Sequence, residues 1–374
     1  MIVPSGGDGL RRAYLDALRG VAIVLMVVNH TGRWWMDGSM RWERYWLIYA
    51  TMLLAAPIFL FLVGYCLALS VHRSAEVEGR SAWDLLRRYS GRGARIVVAG
   101  WALNLLVLQD PVFNGGVLQT IGLTVILLAP AGAFLRTVEA RWLTLAAAVA
   151  IYGSFALAHP GLVRWSAEHA AVARTALFDF PLWPWISIAM VGLVLGRMEM
   201  DRKDDAARSR YYRALGVIGL VLVAGILAWE LTAGTSPAAG FRRDFSLNNH
   251  WTPRPLTAVW IAGAVLVSLT AAWWLMEARG LRARWLVVFG QTAFMIYFVH
   301  QVIVYTIVTH WLGILMNDWA LYTIANVVLL AVLLALARAW LAVRTPLKDA
   351  ARARVATLLR LKRSPAPPPA RTAA

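Results

Sequence analysis

Apolar positions along this chain gather into ten runs separated by polar stretches. They cover roughly residues 13–31, 46–71, 96–108, 117–135, 142–158, 183–196, 214–233, 256–276, 286–310 and 320–343. A helix that crosses a bilayer takes about 17–25 predominantly apolar residues. Most runs meet that length; 96–108 and 183–196 are short and are expected to be tilted, extended or partly buried. The pattern predicts an all-α, polytopic integral membrane protein of about ten transmembrane helices. The run at 13–31 reads as a retained signal-anchor, because no small-residue cleavage pattern follows it. Three regions result: a short N-terminus over 1–12, a membrane domain over 13–343, and a basic, Pro-rich tail over 344–374 that is expected to be partly disordered.

Composition agrees. Of 374 residues, 60% are hydrophobic, and the mean hydropathy of +0.59 leaves no room for a separate soluble domain. A net charge of +17 would by itself suggest a nucleic-acid partner, but its distribution does not. Alternate connections hold 27 and 8 of the lysines and arginines, with Arg19 and Arg338 inside runs. That asymmetry follows the positive-inside rule and puts both termini in the cytoplasm. Tryptophans near the ends of the runs (Trp34, Trp35, Trp46, Trp142, Trp183, Trp185, Trp285, Trp311, Trp319) fit an interfacial aromatic belt. The bilayer is therefore the expected partner and nucleic acid is not. An exposed helix face could also pair two copies. Cys66, the single cysteine, precludes an intrachain disulfide. No internal repeat is evident, which argues against an inverted-repeat transporter.

The first run carries the chemistry. Leu15-Asp-Ala-Leu-Arg-Gly-Val-Ala-Ile-Val-Leu-Met-Val-Val-Asn-His30 could cross a membrane, yet it holds Asp16, Arg19, Asn29 and His30. Polar groups in hydrocarbon are costly and need a partner or a task. At 100° per residue Asp16, Arg19, Met26 and His30 share one stripe, with about 16 Å between Arg19 and His30. An imidazole can act as a base near neutral pH, and Asn29 could stabilise an oxyanion. A histidine that merely bonds to a neighbour is the plainer alternative. Tyr297, His300 and Gln301, spaced i, i+3 and i+4, form a second polar face in mid-span, either a working site or an interhelical hydrogen-bond network. Asp16 and Arg19 could bind a charged ligand, or form an ion pair at a helix entrance followed by Gly20 for close packing. Arg87, Arg88, Arg92 and Arg95, in the first cytoplasmic loop, could grip phosphates or simply set topology. Asn104, Gln109, Asp110 and Gln119 surround a short outer turn as acceptor candidates, and Trp34 adds an aromatic surface beside His30. Histidines His159, His169 and His250 fall in outer loops and His310 at an outer helix end. Metal-ligand spacings, phosphate loops and a serine-nucleophile elbow are absent from the sequence, so no metal is predicted.

Five segments then occur together and in order: Leu15-Asp-Ala-Leu-Arg-Gly-Val-Ala-Ile with Met26, Ala56-Pro-Ile-Phe-Leu-Phe-Leu-Val-Gly64, Gly116-Val-Leu-Gln-Thr-Ile-Gly122, Pro184-Trp185 through Gly192-Leu-Val-Leu-Gly-Arg197, and Phe289-Gly-Gln-Thr-Ala-Phe-Met-Ile-Tyr297. Over residues 11–343 the chain resembles the membrane family built on the catalytic domain of heparan-α-glucosaminide N-acetyltransferase, especially its bacterial branch, which is related to the wider transmembrane acyltransferases. The resemblance implies an enzyme of the bacterial cytoplasmic (inner) membrane. It would take an acetyl group from cytoplasmic acetyl-CoA, as co-substrate, and deliver it to a sugar amine or hydroxyl of a glycan on the far side. Asn29 matches a catalytic asparagine at the end of the family's first span. The loop Thr31–Tyr45 lacks the family's following histidine, and His30 instead matches the histidine that ends the first span of the related O-acyltransferases. His30, Asn29 and His300 are the expected catalytic residues. Asp16, Arg19, Arg87, Arg88 and Arg95 are the expected CoA contacts, and Gln119, Tyr297, Gln301 and Trp34 the expected substrate contacts. A transporter of a small polar or envelope-related substrate and a non-catalytic membrane scaffold are the rival readings.

Overall fold

The computed structural model describes residues 12–38, 53–176, 180–202, 204–233 and 255–361. The start of the second run, Trp46, His250 and the end of the tail lie outside the described residues. Twelve helices appear among those described: α1 (Ala13–Trp34), α2 (Ala55–His72), α3 (Ala82–Leu103), α4 (Val117–Phe134), α5 (Val138–Glu168), α6 (Ala170–Ala176), α7 (Leu182–Met200), α8 (Asp205–Thr232), α9 (Pro255–Trp273), α10 (Arg284–Gln291), α11 (Ala293–Gln301) and α12 (Trp319–Leu361). Four of them, α2, α3, α9 and α11, continue into wider π-helical turns at their C-terminal ends. No strand is present among the described residues, and nine helical segments are long and apolar enough to cross a membrane. The protein is an all-α, polytopic membrane protein.

Helix α7, 19 residues long, is not among those nine. Its first turn is broken at Trp183 (φ −96°, ψ 112°), which shortens the regular helix. It runs parallel to α2 in close backbone contact: Gly192 faces Phe61 and Gly196 faces Tyr65. A Cβ on Gly64 would strike the carbonyl of Ala189, and one on Gly192 the carbonyl of Phe61. Without a hydrophobic drive between helices in lipid, small residues that let backbones approach are the means of association.

Several boundaries differ from the hydropathy reading, each for a local reason. Helix α3 starts at Ala82, where Ser81 Oγ accepts the backbone N–H of Asp84 at 3.1 Å. The charged stretch 82–95 is therefore helical, and Arg87, Arg88, Arg92 and Arg95 lie on α3 rather than in a loop. Helix α5 starts after the cap Thr137 and runs through His159 to Glu168, so His159 is helical and His169 sits at its end. The apolar run at 286–310 is two helices. Thr292 leaves the helical region (φ −110°, ψ 11°) and its hydroxyl donates back to the carbonyl of Val288 at 2.8 Å. The membrane-length piece is then 293–311. Helix α10 crosses α1 in the opposite sense: a Cβ on Gly20 would land on Leu286, and one on Gly290 on the carbonyl of Asp16.

Two large cores meet on α1. Tyr14, Leu15 and Leu18 join Phe61, Tyr65, Tyr212, Leu269 and Trp273 in one. Ile23 and Val27 join Phe289, Ile296, Leu329 and Leu333 in the other. At the N-terminal end of α1 the first core closes over a buried carboxylate. Glu199 pairs with Arg12 and accepts the hydroxyls of Tyr14 (3.1 Å) and Tyr65 (2.8 Å), and Tyr212 bridges the two tyrosines.

The close helix contacts give a direct test. Gly64→Ala or Gly192→Ala should lower stability by about 1–3 kcal/mol, the usual cost of overpacking. Gly153→Ala, where an added Cβ meets nothing within 4 Å, should be neutral or mildly stabilising. Thermal unfolding in detergent reads the difference, and equal melting temperatures for all three would contradict the α2–α7 contact.

Candidate functional site

Helix α1 turns its polar stripe towards a cavity of about 740 Å³ enclosed by α1, α2, α3, α4 and α11. Arg19, Met26, Asn29, His30 and Arg33 all border it. Those positions span about 21 Å of helix at 1.5 Å per residue, so the cavity follows α1 for most of its length. Arg19 and Arg92 mark one end, together with Arg344 from α12 and Gln291 from the α10–α11 break. Phe59, Val63, Ile121 and Val125 make an apolar middle. The other end holds Asn29, His30, Arg33, Asp110, Gln119 and Phe180.

At the first end, Arg19 donates to Asp16 at 2.7 Å and to the thiol of Cys66 at 3.3 Å. Asp16 is buried behind the arginine and does not border the cavity. Pairing inside protein answers the cost of both charges in hydrocarbon. Near the other end, His30 Nδ1 lies 2.8 Å from His300 Nε2 and 3.1 Å from the side-chain amide of Gln301. The two imidazoles are within 6° of parallel, with centroids 5.0 Å apart. His300 Nδ1 lies 2.9 Å from the carbonyl of Ile296 one turn back. One face further round, Thr31 joins Asn326 (2.7 Å) and Tyr322 (3.1 Å), which ties α1 to α12 beside the site.

The outer turn is held from within. Asn104 Nδ2 donates to the carbonyls of Val112 (3.1 Å) and Asn114 (2.9 Å), and Gln119 Nε2 donates to Asn114 at 3.2 Å. Gly100 and Gly116 leave room for the Gln119 amide, which a Cβ at either would strike. Gln109 takes the left-handed conformation there (φ 55°), and Asp110 N–H donates to Asn104 at 3.0 Å. Burial pushes the Asp110 carboxyl above the usual carboxylate range, while the guanidinium groups of Arg174 and Arg33 pull it back.

Nine of the polar residues singled out from sequence therefore line one cavity: Arg19, Asn29, His30, Arg92, Asn104, Asp110, Gln119, Tyr297 and Gln301. His300 is wholly buried behind His30 and does not border it. Trp34 does not border the cavity either; the Arg33 guanidinium lies 5.2 Å from its ring and Tyr305 meets it edge-on. Arg87, Arg88 and Arg95 are exposed on α3 away from the cavity. Arg88 lies 3.5 Å from Glu78, and Arg95 donates to the carbonyl of Gly91 at 3.0 Å. Sequence reasoning missed Arg33, Cys66, Phe180, Gln291 and Arg344. Arg33 was legible, since it continues the Arg19–Met26–His30 stripe one turn beyond the apolar run. The others follow from packing alone. Among the described residues no group of three or more His, Cys, Asp or Glu is placed to hold a metal ion.

Because the raised Asp110 carboxyl binds its proton more tightly in the folded state, its stabilising effect is full at low pH and is lost as pH rises through its folded value. Asp110→Asn should therefore melt at or above the wild-type temperature at pH 7, and the gap should close as pH falls into the ordinary carboxylate range. A variant less stable than wild type at pH 7 would mean that the arginines outweigh burial.

Comparison with known proteins bears on this site. The family described as heparan-alpha-glucosaminide N-acetyltransferase, catalytic, matches residues 11–229, more than half of the chain. No curated protein matches it.

Proposed function

From a chain that belongs to the heparan-alpha-glucosaminide N-acetyltransferase catalytic family, and so to a family of membrane acyltransferases, we propose a specific reaction: transfer of an acetyl group from cytoplasmic acetyl-CoA to an amine or hydroxyl of a glycan on the opposite side of a bacterial inner membrane. The observation that carries this reading is the single cavity that follows α1 from Arg19 to Arg33 with Asn29 and His30 on its wall.

The two ends differ in the way the reaction needs. Arg19, Arg92 and Arg344 gather positive charge where the nucleotide and its phosphates would sit. Arg92 and Arg344, which border the cavity, suit that task better than Arg87, Arg88 and Arg95, which do not. The apolar middle suits the pantetheine arm, which would carry the thioester to His30. There His30 Nε2 takes the proton from the acceptor amine or hydroxyl as a new bond forms to the acetyl carbonyl carbon. Asn29 donates to the oxyanion that develops. The carbon–sulfur bond then breaks, and the departing CoA thiolate takes the same proton back from His30. No proton is gained or lost over the cycle. Gln119, Tyr297 and Gln301 line the space left for the acceptor.

Purified protein in vesicles, with labelled acetyl-CoA outside and a panel of amino sugars and glycans inside, tests the whole reading. We expect CoA release and acetylated acceptor for wild type, and a loss of about 100-fold or more for His30→Ala. Acceptor that crosses unmodified would instead favour a transporter. Binding has its own readout: desulfo-CoA, which lacks the thiol that would itself consume maleimide, should protect Cys66, the protein's single thiol, from maleimide in wild type and much less so in Arg92→Ala. Labelling that desulfo-CoA never slows would rule out the proposed placement of the donor.

A further inference from the structure

We propose that His300 is a positioning residue that locks His30 in one tautomer, with its proton on Nδ1 and its lone pair on Nε2. This deepens the acyl-transfer reading and takes from it only the cavity-lining role of His30. The argument is an inventory of protons. The Ile296 carbonyl can only accept, so His300 Nδ1, 2.9 Å away, carries a hydrogen. A neutral imidazole has one N–H, which leaves His300 Nε2 as an acceptor. The nitrogen 2.8 Å from it is His30 Nδ1, which must therefore donate. The same one-proton rule leaves Nε2 of His30 with its lone pair. Gln301 sets a condition: its Nε2 is placed 3.1 Å from His30 Nδ1, two N–H donors cannot share that contact, and the assignment therefore requires the amide turned by 180° so that its oxygen accepts from His30 Nδ1–H.

The surroundings make the lock rigid. His300 is fully buried, and the Tyr297 ring packs edge-on against it with centroids 5.6 Å apart. The near-parallel rings keep the N–H···N bond close to the plane of both imidazoles. Serine hydrolases use a buried carboxylate to hold a histidine in this manner. Here a neutral imidazole does so, which spares the membrane interior a further charge. Nε2 is then the one atom of His30 that can accept a proton or carry an acyl group.

Magic-angle-spinning NMR of the full-length protein in bilayers, with 15N-labelled histidine, reads the tautomer whether or not any acetyl moves. The His30 signals are assigned by their loss in His30→Gln. We expect a protonated Nδ1 and an unprotonated Nε2 in wild type. In His300→Leu we expect His30 to shift towards the Nε2–H form and acyl transfer to fall roughly tenfold or more. His300→Gln can accept from His30 and donate to Ile296, so it should keep the wild-type tautomer and most of the rate. An Nε2–H tautomer in wild type overturns the proposal, as does a His300→Leu protein that loses activity with its tautomer unchanged. A wild-type Nδ1–H tautomer in a protein that never releases CoA supports the lock and counts against the acyl-transfer reading instead.

Discussion

Everything about this architecture depends on keeping the polar stripe of α1 out of lipid. Asp16, Arg19, Asn29 and His30 cannot face hydrocarbon without a heavy penalty, whereas Ala22, Ile23 and Val27 can pack anywhere apolar. The bundle meets that demand by placing α1 between two cores rather than at the edge of one. Glycines at the tightest crossings bring α10 against its backbone, and α2, α3, α4 and α11 wall off the space in front of it. The cavity is thus the residue of a packing problem: a face too polar for lipid, surrounded by helices that do not fill it.

Chemistry within that space follows from depth. Positive charge gathers at one end, where Arg19, Arg92 and Arg344 converge, and the His30–His300 pair sits near the other. Between them the walls are apolar. A ligand that fits such a gradient is long, anionic at one tip and reactive at the other. The tyrosine cluster around Glu199 and the Thr31–Asn326–Tyr322 knot fix α1 on either side of the cavity, so that the stripe keeps its register against the opposite wall.

Much of this was legible in the sequence, because hydrophobic runs, basic connections and one anomalous polar run are strong signals. Helix class, the approximate spans and the shared side of α1 taken by Arg19, Asn29 and His30 came from those alone. Helix ends did not, since charged stretches such as 82–95 are as helical as the runs they precede, and an apolar run such as 286–310 hides its own break at Thr292. The i, i+3, i+4 spacing rightly put Tyr297, His300 and Gln301 on one side of a helix. It could not tell that His300 packs against His30 of α1 while Tyr297 and Gln301 border the cavity. Basic residues were the least legible: Arg88 and Arg92 are four apart on the same face of α3, yet only Arg92 borders the cavity, so height along the helix decides as much as the face does.

The distance between His30 and His300 along the chain is 270 residues. A ribosome adding about 5–20 residues per second takes roughly 15–50 s to cover it. For that interval α1 has left the ribosome with its imidazole, and the partner it will bond to does not yet exist. The family match ends at residue 229, so the dyad also joins a matched half to an unmatched one. Biogenesis of this protein must therefore hold an unpaired imidazole and a half-walled cavity in the membrane until the later helices arrive.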